Sequence, residues 1–329
     1  MSRPRIAILD DYQGLALTLA DWSALEGRAE LEVFRENLGP LDEAAETLLG
    51  FDVLCLMRER QALPAALIDR LPRLKCVVTT GVWNAAIDLD AAERRGIAVL
   101  GTPNGRGQRA TAELTWGLIL ASVRNIPAQD AGMRAGSWAG PPGRLLDGSV
   151  LGLIGFGTIA AMVADYAHAF GMRVLAASRS VAAADMPAHV AATDRDALLR
   201  TADVVSLHVR SSPENRGLIG VRELAAMKRD ALLVNTSRAS LVDHAALADA
   251  LREGTIGGAA LDVWDREPLP VDHPLRRAGP NLLLSPHMGY VARETMADFH
   301  AWTRDAVLAW LDGRCLGNLL RPGWAARPS

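Results

Sequence analysis

The stretch Val150-Leu-Gly-Leu-Ile-Gly-Phe-Gly-Thr-Ile-Ala160 decides the fold, because two glycines stand where an apolar strand gives way to a helix. Gly155 permits a tight turn, Gly157 lets the backbone approach a pyrophosphate, and Ala160 allows the helix to pack close to the strand. The pattern predicts a dinucleotide site with its phosphates at the helix N-terminus; an ordinary glycine-rich turn is the alternative interpretation. The predicted contacts are Gly155, Phe156, Gly157, Thr158 and Ile159.

The next predicted strand, Arg173–Ala177, ends in Ser178, Arg179 and Ser180. A site for NAD usually carries an acid here, which accepts a hydrogen bond from the ribose 2′-hydroxyl. An acid would repel a 2′-phosphate, whereas an arginine between two hydroxyls can donate charge-assisted hydrogen bonds to it. The sequence therefore favours NADP(H) as the cofactor, and NAD(H) stays open if Arg179 is simply a solvated loop residue.

Strand-like and helix-like runs alternate on both sides of the glycine motif. Runs typical of strands lie at 5–9, 31–34, 52–57, 75–80 and 97–100, and again at 150–154, 173–177, 203–208, 231–235, 259–263 and 282–284. The helical runs include 15–25, 111–124 and 291–311. This alternation predicts an α/β protein with two doubly wound parallel-sheet domains. A Rossmann-type cofactor domain at 102–289 is inserted in a flavodoxin-like domain formed by 1–101 and 290–329, with a turn-rich hinge at 101–108.

Composition narrows the classes of function. The chain has 329 residues, half of them hydrophobic, and a net charge of -3, so it can bury a core but has no field that attracts nucleic acid or a membrane surface. No signal peptide or membrane span is apparent. The three cysteines, Cys55, Cys76 and Cys315, have no metal-like spacing, and no HExxH motif occurs. We therefore expect a cytoplasmic protein with small-molecule partners and no metal.

Three further segments follow predicted strands, which is where open parallel sheets place their ligand sites. They are Val234–Asp243, Ala260–Pro268 and Leu284–Gly289. Together with the glycine loop, Thr111-Ala-Glu113 and Asp203-Val-Val-Ser-Leu-His208, they resemble the D-2-hydroxyacid dehydrogenase family, which includes glyoxylate/hydroxypyruvate reductases and phosphoglycerate dehydrogenases. The resemblance covers nearly the whole chain. It implies hydride transfer between NAD(P)H and a small 2-oxo or 2-hydroxy acid, with the flavodoxin-like domain holding the substrate.

The resemblance places the family's catalytic residues on Arg238, Glu267 and His287. Residue chemistry supports these roles, since a guanidinium can hold a carboxylate and polarise a carbonyl. Histidine, with an ordinary pKa near ~6.5, can deliver the proton, and a neighbouring carboxylate stabilises its protonated form. Asp262 matches a second family acid near the nicotinamide, and we expect it to orient other groups rather than react.

The resemblance also implies contacts from other loops. Cofactor contacts are expected from Thr111, His208, Val209, Arg210, Thr236, Ser237 and Asp262. In the family, backbone amides of an N-terminal loop grip the substrate carboxylate, and the matching residues are Gly81, Val82 and Trp83. This loop departs from the family's glycine-alternating pattern, so Trp83 either lines the pocket or fills the core. Substrate identity cannot be copied from any family member.

Two alternatives to this function stay open. A short-type phosphoglycerate dehydrogenase would need a second basic group in the substrate loop, which Arg58 or Arg60 could supply. A catalytically idle dinucleotide-sensing interaction protein would use the same fold without turnover.

The apolar run Thr111–Arg124 has more apolar surface than one small domain obviously needs, so we also expect a homodimer.

Overall fold

A computed structural model of the chain describes residues 3–314 and 318–320. The chain forms two compact units. The first comprises the chain up to Arg106 together with the described residues from Ala292 onward, and the second comprises Gly107–Val291. The functional division into a substrate domain and a cofactor domain stays a prediction.

The first unit is built on a sheet with helices on both faces. Its parallel strands are β1 (Arg5–Ile8), β2 (Glu30–Val33), β3 (Val53–Leu56), β4 (Cys76–Thr79) and β5 (Ala98–Gly101), in the spatial order β5-β4-β3-β1-β2. Its shorter helices are α1 (Ala16–Leu19), α2 (Leu41–Leu48), α3 (Ala65–Ile68) and α4 (Leu89–Arg94). The two-residue strand Asn318–Leu319 pairs antiparallel with β5 and lies outside the predicted parallel pattern.

Strand β3 shows why this sheet forms. All four of its residues are buried, which is the pattern of a central parallel strand covered on both faces. Leu54 and Leu56 face the core under α2, α3 and α4, whereas Val53 and Cys55 face the core that includes α1 and the long helix Arg293–Leu311. As predicted, the long helix near the end of the chain packs on the first sheet.

The second unit contains a parallel sheet of seven strands. They are β6 (Val150–Ile154), β7 (Arg173–Ala177), β8 (Val190–Ala192), β9 (Val204–Leu207), β10 (Leu232–Asn235), β11 (Gly258–Leu261) and β12 (Leu282–Leu284), in the order β12-β11-β10-β9-β6-β7-β8. The helices are α5 (Gly107–Val123), α6 (Ile126–Arg134), α7 (Thr158–Ala169), α8 (Arg195–Thr201), α9 (Val221–Ala226) and α10 (His244–Glu253). The predicted fold class of two doubly wound parallel sheets is confirmed.

Some predicted elements differ in detail. The helical run predicted at 15–25 is divided into helix α1 and a 3₁₀ turn at Ser23–Leu25. Between them, the Trp22 indole N–H donates to the Ala16 carbonyl at 2.8 Å, which folds the chain back on α1. Strand β8 and helix α6 were not predicted. Only Val190 of β8 is buried, and α6 buries no residue, so neither carries a clear hydrophobic period.

The described residues contain no helix that is long and apolar enough to cross a membrane. Cys55 and Cys76 are buried, and burial raises the pKa of the Cys55 thiol to about 12. Such a thiol is inert at neutral pH. Cys315 lies outside the described residues.

At the amino-terminal edge of each sheet, an aspartate bonds the start of a neighbouring strand; Asp52 is buried and Asp203 is partly buried. In the first unit, the Asp52 carboxylate accepts from Arg5 N at 3.1 Å, Arg73 Nη2 at 2.8 Å and Lys75 Nζ at 3.0 Å. Burial alone would raise the pKa of Asp52, but these hydrogen bonds outweigh it and hold the pKa below its ordinary value. In the second unit, Asp203 repeats the arrangement.

The Asp203 carboxylate accepts from Val150 N at 2.7 Å and from Lys228 Nζ at 2.8 Å. Here too, the hydrogen bonds and the nearby cations overcome the effect of burial and lower the pKa of Asp203. Both aspartates directly precede a central strand, β3 or β9, and bond the first amide of the neighbouring strand β1 or β6. Each therefore fixes the start of the strand that leads into a ligand-side loop.

We expect Asp52→Asn to destabilise the folded protein by about 1–3 kcal/mol at pH 7, the usual value of hydrogen bonds to a charged group. Because the folded-state pKa of Asp52 is lowered, this stabilisation is present above the ordinary pKa and is lost as the pH falls through the folded value. Urea unfolding at pH 7 and below pH ~4 measures the difference, with the exposed Asp69→Asn as a control. Equal destabilisation at both pH values would contradict this assignment.

Candidate active site

The glycine loop joins β6 to α7 and leaves room for a ligand. Gly155 has a φ of +88°, and a Cβ there would lie 2.5 Å from the His208 carbonyl oxygen, so only glycine fits. A Cβ at Gly157 would meet nothing within 4 Å, and no side chain caps the first turn of α7. Amides at such a helix end are suited to a phosphate group. The loop therefore fits a dinucleotide pyrophosphate. Within it, Phe156 is buried, and Thr158 and Ile159 are the first residues of α7.

The loop after β7 borders an open cleft. The cleft is lined by residues of this loop and of β8, among them Ser178, Arg179 and Ser180. The exposed Arg179 donates from Nη2 to Asn215 Oδ1 at 2.6 Å, and Asn215 Nδ2 donates to the Arg210 carbonyl at 3.0 Å. Among the described residues, no carboxylate lies within ion-pair distance of Arg179, although hydrogen bonding to Ser212 and the positive charge of Arg179 lower the pKa of the nearby Glu214. The Arg179 guanidinium lines the cleft, where an anionic ligand could reach it.

Hydrogen bonds of three polar side chains, those of Asn235, Thr236 and Ser237, organise the loop after β10. The Asn235 amide accepts from Ser237 N at 3.0 Å and donates to the Arg238 carbonyl at 2.9 Å, which fixes the backbone around Arg238. Ser237 Oγ donates to the Val209 carbonyl at 2.6 Å, so this loop is bonded to the loop after β9. The Thr236 hydroxyl pairs with that of Thr115 on α5 at 2.7 Å.

The Asp262 carboxylate organises the turn that carries His287. Asp262 is fully buried at the end of β11 and accepts from the Ser285 hydroxyl and, at 2.8 Å each, from the amides of Met288 and Gly289. His287 has a φ of +55°, a conformation that costs free energy in a non-glycine residue. Burial raises the pKa of Asp262 despite the hydrogen bonds that it accepts. Asp262 thus holds the backbone of this turn in place, and its role in the reaction stays a prediction.

Glu267 and His287 form a direct pair. Glu267 Oε2 lies 2.6 Å from His287 Nδ1, and both side chains are about four-fifths buried, with exposed fractions of 23% and 20%. The other carboxylate oxygen of Glu267 accepts from the Trp264 amide at 3.0 Å, and the Trp264 indole N–H donates to the Ser285 carbonyl at 2.9 Å. The Trp264 amide therefore fixes the Glu267 carboxylate that contacts His287. Within the described chain, no group makes a hydrogen bond to His287 Nε2.

Two other predicted cofactor residues are His208, which follows β9 next to the glycine loop, and Thr111 on α5. His208 Nε2 is 3.0 Å from the Ser206 hydroxyl, and burial lowers the pKa of His208 to about 4, so the ring is neutral near pH 7. The Thr111 side chain packs against Gly289, where a Cβ would lie 3.2 Å from Thr111 Oγ1 and 3.3 Å from Asp262 Oδ2. Thr111 therefore stands next to the His287 turn.

The predicted substrate loop lies in the first unit, after β4. Gly81 has a φ of +96°, its amide donates to Thr102 Oγ1 at 2.9 Å, and the Arg58 guanidinium lies directly over its Cα. Val82 and Trp83 are 44% and 57% exposed. Trp83 therefore does not fill the core, which removes one of its two predicted roles.

The sequence patterns did not predict several residues that take part in this site, namely Thr115, Ser206, Asn215, Asn235, Trp264 and Ser285. Asn235 ends β10, and Ser285 separates β12 from His287, so a search for polar residues at strand ends could have found both. Asn215 and Trp264 act through contacts that no spacing reveals. The described residues contain no group of three or more metal ligands.

The chain is similar to known proteins over both units. Residues 116–289, which include the glycine loop, Arg238, Glu267 and His287, match the family described as D-isomer specific 2-hydroxyacid dehydrogenase, NAD binding domain. The glyoxylate reductase of Aeropyrum pernix is 38% identical over 97% of this chain and 96% of its own length. The hydroxypyruvate reductase of Thermotoga maritima is 34% identical over 88% and 92%, respectively.

A solved structure matches equally broadly. The phosphoglycerate oxidoreductase of Vibrio cholerae superposes with a TM-score of 0.86 at 33% identity, covering 94% of this chain and 99% of that one.

Proposed function

Because the chain belongs to the D-isomer-specific 2-hydroxyacid dehydrogenase family, we propose that Arg238, Glu267 and His287 carry out its chemistry. The family membership makes it an oxidoreductase that transfers a hydride between a nicotinamide dinucleotide and a small 2-oxo or 2-hydroxy acid. The observation that supports these roles most strongly is the 2.6 Å contact between Glu267 and His287. A catalytically idle sensor has no need of a histidine held in this way.

In the proposed mechanism, His287 supplies the proton. Glu267 accepts from Nδ1, which fixes the ring so that Nε2 can donate to the substrate oxygen. A bound reduced nicotinamide would supply the hydride. His287 becomes neutral as the hydroxyl forms, and the reverse reaction uses the neutral ring as a base.

In this proposal, Arg238 binds the substrate carboxylate and polarises the substrate carbonyl. A guanidinium presents planar donors that match a carboxylate, and its charge stabilises the negative charge that develops on the carbonyl oxygen. Gly81, Val82 and Trp83 are the proposed substrate contacts from the first unit. The proposed cofactor contacts are Thr111, the loop 155–159, Ser178, Arg179, Ser180, His208, Val209, Arg210, Thr236, Ser237 and Asp262.

We expect His287→Ala and Arg238→Ala each to lower kcat for 2-oxo acid reduction by at least about a hundredfold, because each removes proton transfer or transition-state charge stabilisation. Steady-state assays with glyoxylate and hydroxypyruvate measure the loss, and cofactor binding should survive. The exposed His168→Ala is the matched control. Near-native turnover in either active-site variant would show that its assigned role is wrong.

A phosphorylated substrate is the second candidate, and Arg58 favours it. The guanidinium of Arg58 lies over Gly81 in the proposed substrate loop. Its hydrogen bonds to Thr80 O and Asn104 Oδ1 are long, at 3.4 Å each. Arg60 instead donates to the Asp10 carbonyl at 2.7 Å and stacks on a tyrosine ring. Of the two arginines, Arg58 is thus the better phosphate partner. Comparing kcat/KM for hydroxypyruvate and phosphohydroxypyruvate separates the two candidates.

We propose a homodimer, on a different surface from the expected one. Most of the apolar residues of α5 are buried in the core of the second unit, so they do not require a partner. Large apolar side chains are instead exposed on α6 and the segment after it: Ile126, Met133, Trp138 and Leu145. A second copy of the chain would cover this surface, and light scattering measures the mass. A cytoplasmic location is likewise proposed, in keeping with the buried Cys55 thiol.

NADP(H) is the proposed cofactor, because the Arg179 guanidinium lines the cleft after β7, and Ser178 stands where an acid would repel a 2′-phosphate. A charge-assisted hydrogen bond to a 2′-phosphate contributes about 1.5–3 kcal/mol. We therefore expect Arg179→Ala to weaken NADPH binding roughly tenfold or more and to leave NADH binding nearly unchanged.

Fluorescence titration of both cofactors tests this preference. The exposed Arg200→Ala, on a helix of the same unit, controls for the loss of one positive charge. Wild-type protein that binds NADH as tightly as NADPH, with Arg179→Ala affecting neither, would rule out the preference.

A further inference from the structure

Arg179 is held by one neutral side chain. Asn215 is 6% exposed, and its Oδ1 accepts from Arg179 Nη2 at 2.6 Å. We propose that Asn215 is a positioning residue for coenzyme selection: it holds the Arg179 guanidinium where a 2′-phosphate binds, without neutralising its charge. This inference rests on the proposed preference for NADP(H).

The orientation of the Asn215 amide is fixed by its two partners. Arg179 can only donate hydrogen bonds, and the Arg210 carbonyl can only accept them. Asn215 therefore turns its oxygen to Arg179 and its nitrogen to Arg210, at 2.6 and 3.0 Å. Among side chains of this size, only an amide meets both requirements.

The sheet order gives this contact its position. Strand β6 lies between β7 and β9, and Arg179 follows β7 whereas Asn215 follows β9. The hydrogen bond between them thus joins the loops on either side of β6, the strand that leads into the glycine loop. A dinucleotide with its pyrophosphate at that loop extends its adenosine half toward these two loops.

The neutrality of Asn215 matters as much as its geometry. An acidic residue would also hold a guanidinium, but it would form an ion pair and repel a 2′-phosphate. An apolar residue would leave the long arginine side chain free to adopt many rotamers, and ordering it would then weaken phosphate binding. An amide orders the side chain and preserves the charge.

Binding of adenosine fragments tests the inference without turnover. The probes are 2′,5′-ADP and 5′-AMP, which differ by the 2′-phosphate, and isothermal titration measures both. We expect Asn215→Asp to weaken 2′,5′-ADP binding at least tenfold, and Asn215→Ala to weaken it severalfold, with 5′-AMP binding nearly unchanged in both. In an Arg179→Ala background, Asn215→Ala should have no further effect.

Arg216→Ala is the matched control, because Arg216 is exposed on the same loop and contacts neither partner. Thermal unfolding checks each variant, and Asn215→Thr, which keeps an oxygen acceptor, takes the place of any variant that does not fold. If the Asn215 variants bind 2′,5′-ADP like the wild type, the inference is wrong and the coenzyme preference stands. Equal loss of both probes means a general structural role and also overturns it. Wild-type protein that does not distinguish the probes overturns both proposals.

Discussion

The site depends on one buried carboxylate, that of Asp262. It accepts hydrogen bonds from the Ser285 hydroxyl and from the two amides that follow His287, and so stabilises a turn whose φ of +55° is unfavourable for histidine. Without these bonds, the amides of Met288 and Gly289 would lose their acceptor. Holding the backbone next to His287 fixes where the ring can go, and the contact with Glu267 then fixes its rotation.

The parallel sheet supplies the remaining order. Strands β10, β11 and β12 are neighbours in register, so the residues that follow them emerge at one edge. Asn235, Asp262 and Ser285 lie at this edge, where Asn235 and Asp262 bond the backbone of the loops and the Ser285 hydroxyl donates to Asp262. The loops that carry Arg238 and His287 are thereby held in place. At the opposite edge of the same sheet, Asp203 fixes the start of β6. Structural carboxylates and amides thus do the positioning, while the proposed catalytic groups stand on short loops.

The sequence predicted the two sheets, the glycine loop and the strand ends well, since each leaves a periodic or spaced pattern. It could not predict the contact between Arg179 and Asn215, because thirty-six residues separate them and the interaction depends on the strand order. Trp83 shows a different limit: an aromatic residue in a loop fits a core as well as a surface until its 57% exposure is known. Strand β8 could not be predicted, because a single buried residue leaves no hydrophobic period in the sequence.

The most direct test of the central claim is the rate of 2-oxo acid reduction in Glu267→Gln. The amide keeps the shape of Glu267 but removes the carboxylate that lies 2.6 Å from His287 Nδ1. We predict that kcat falls at least about tenfold while cofactor binding is nearly unchanged, because a well-placed general acid contributes about 10²–10⁴-fold to the rate. The exposed Glu253→Gln should leave kcat unchanged. A Glu267→Gln variant with the kcat of the wild type would contradict the account.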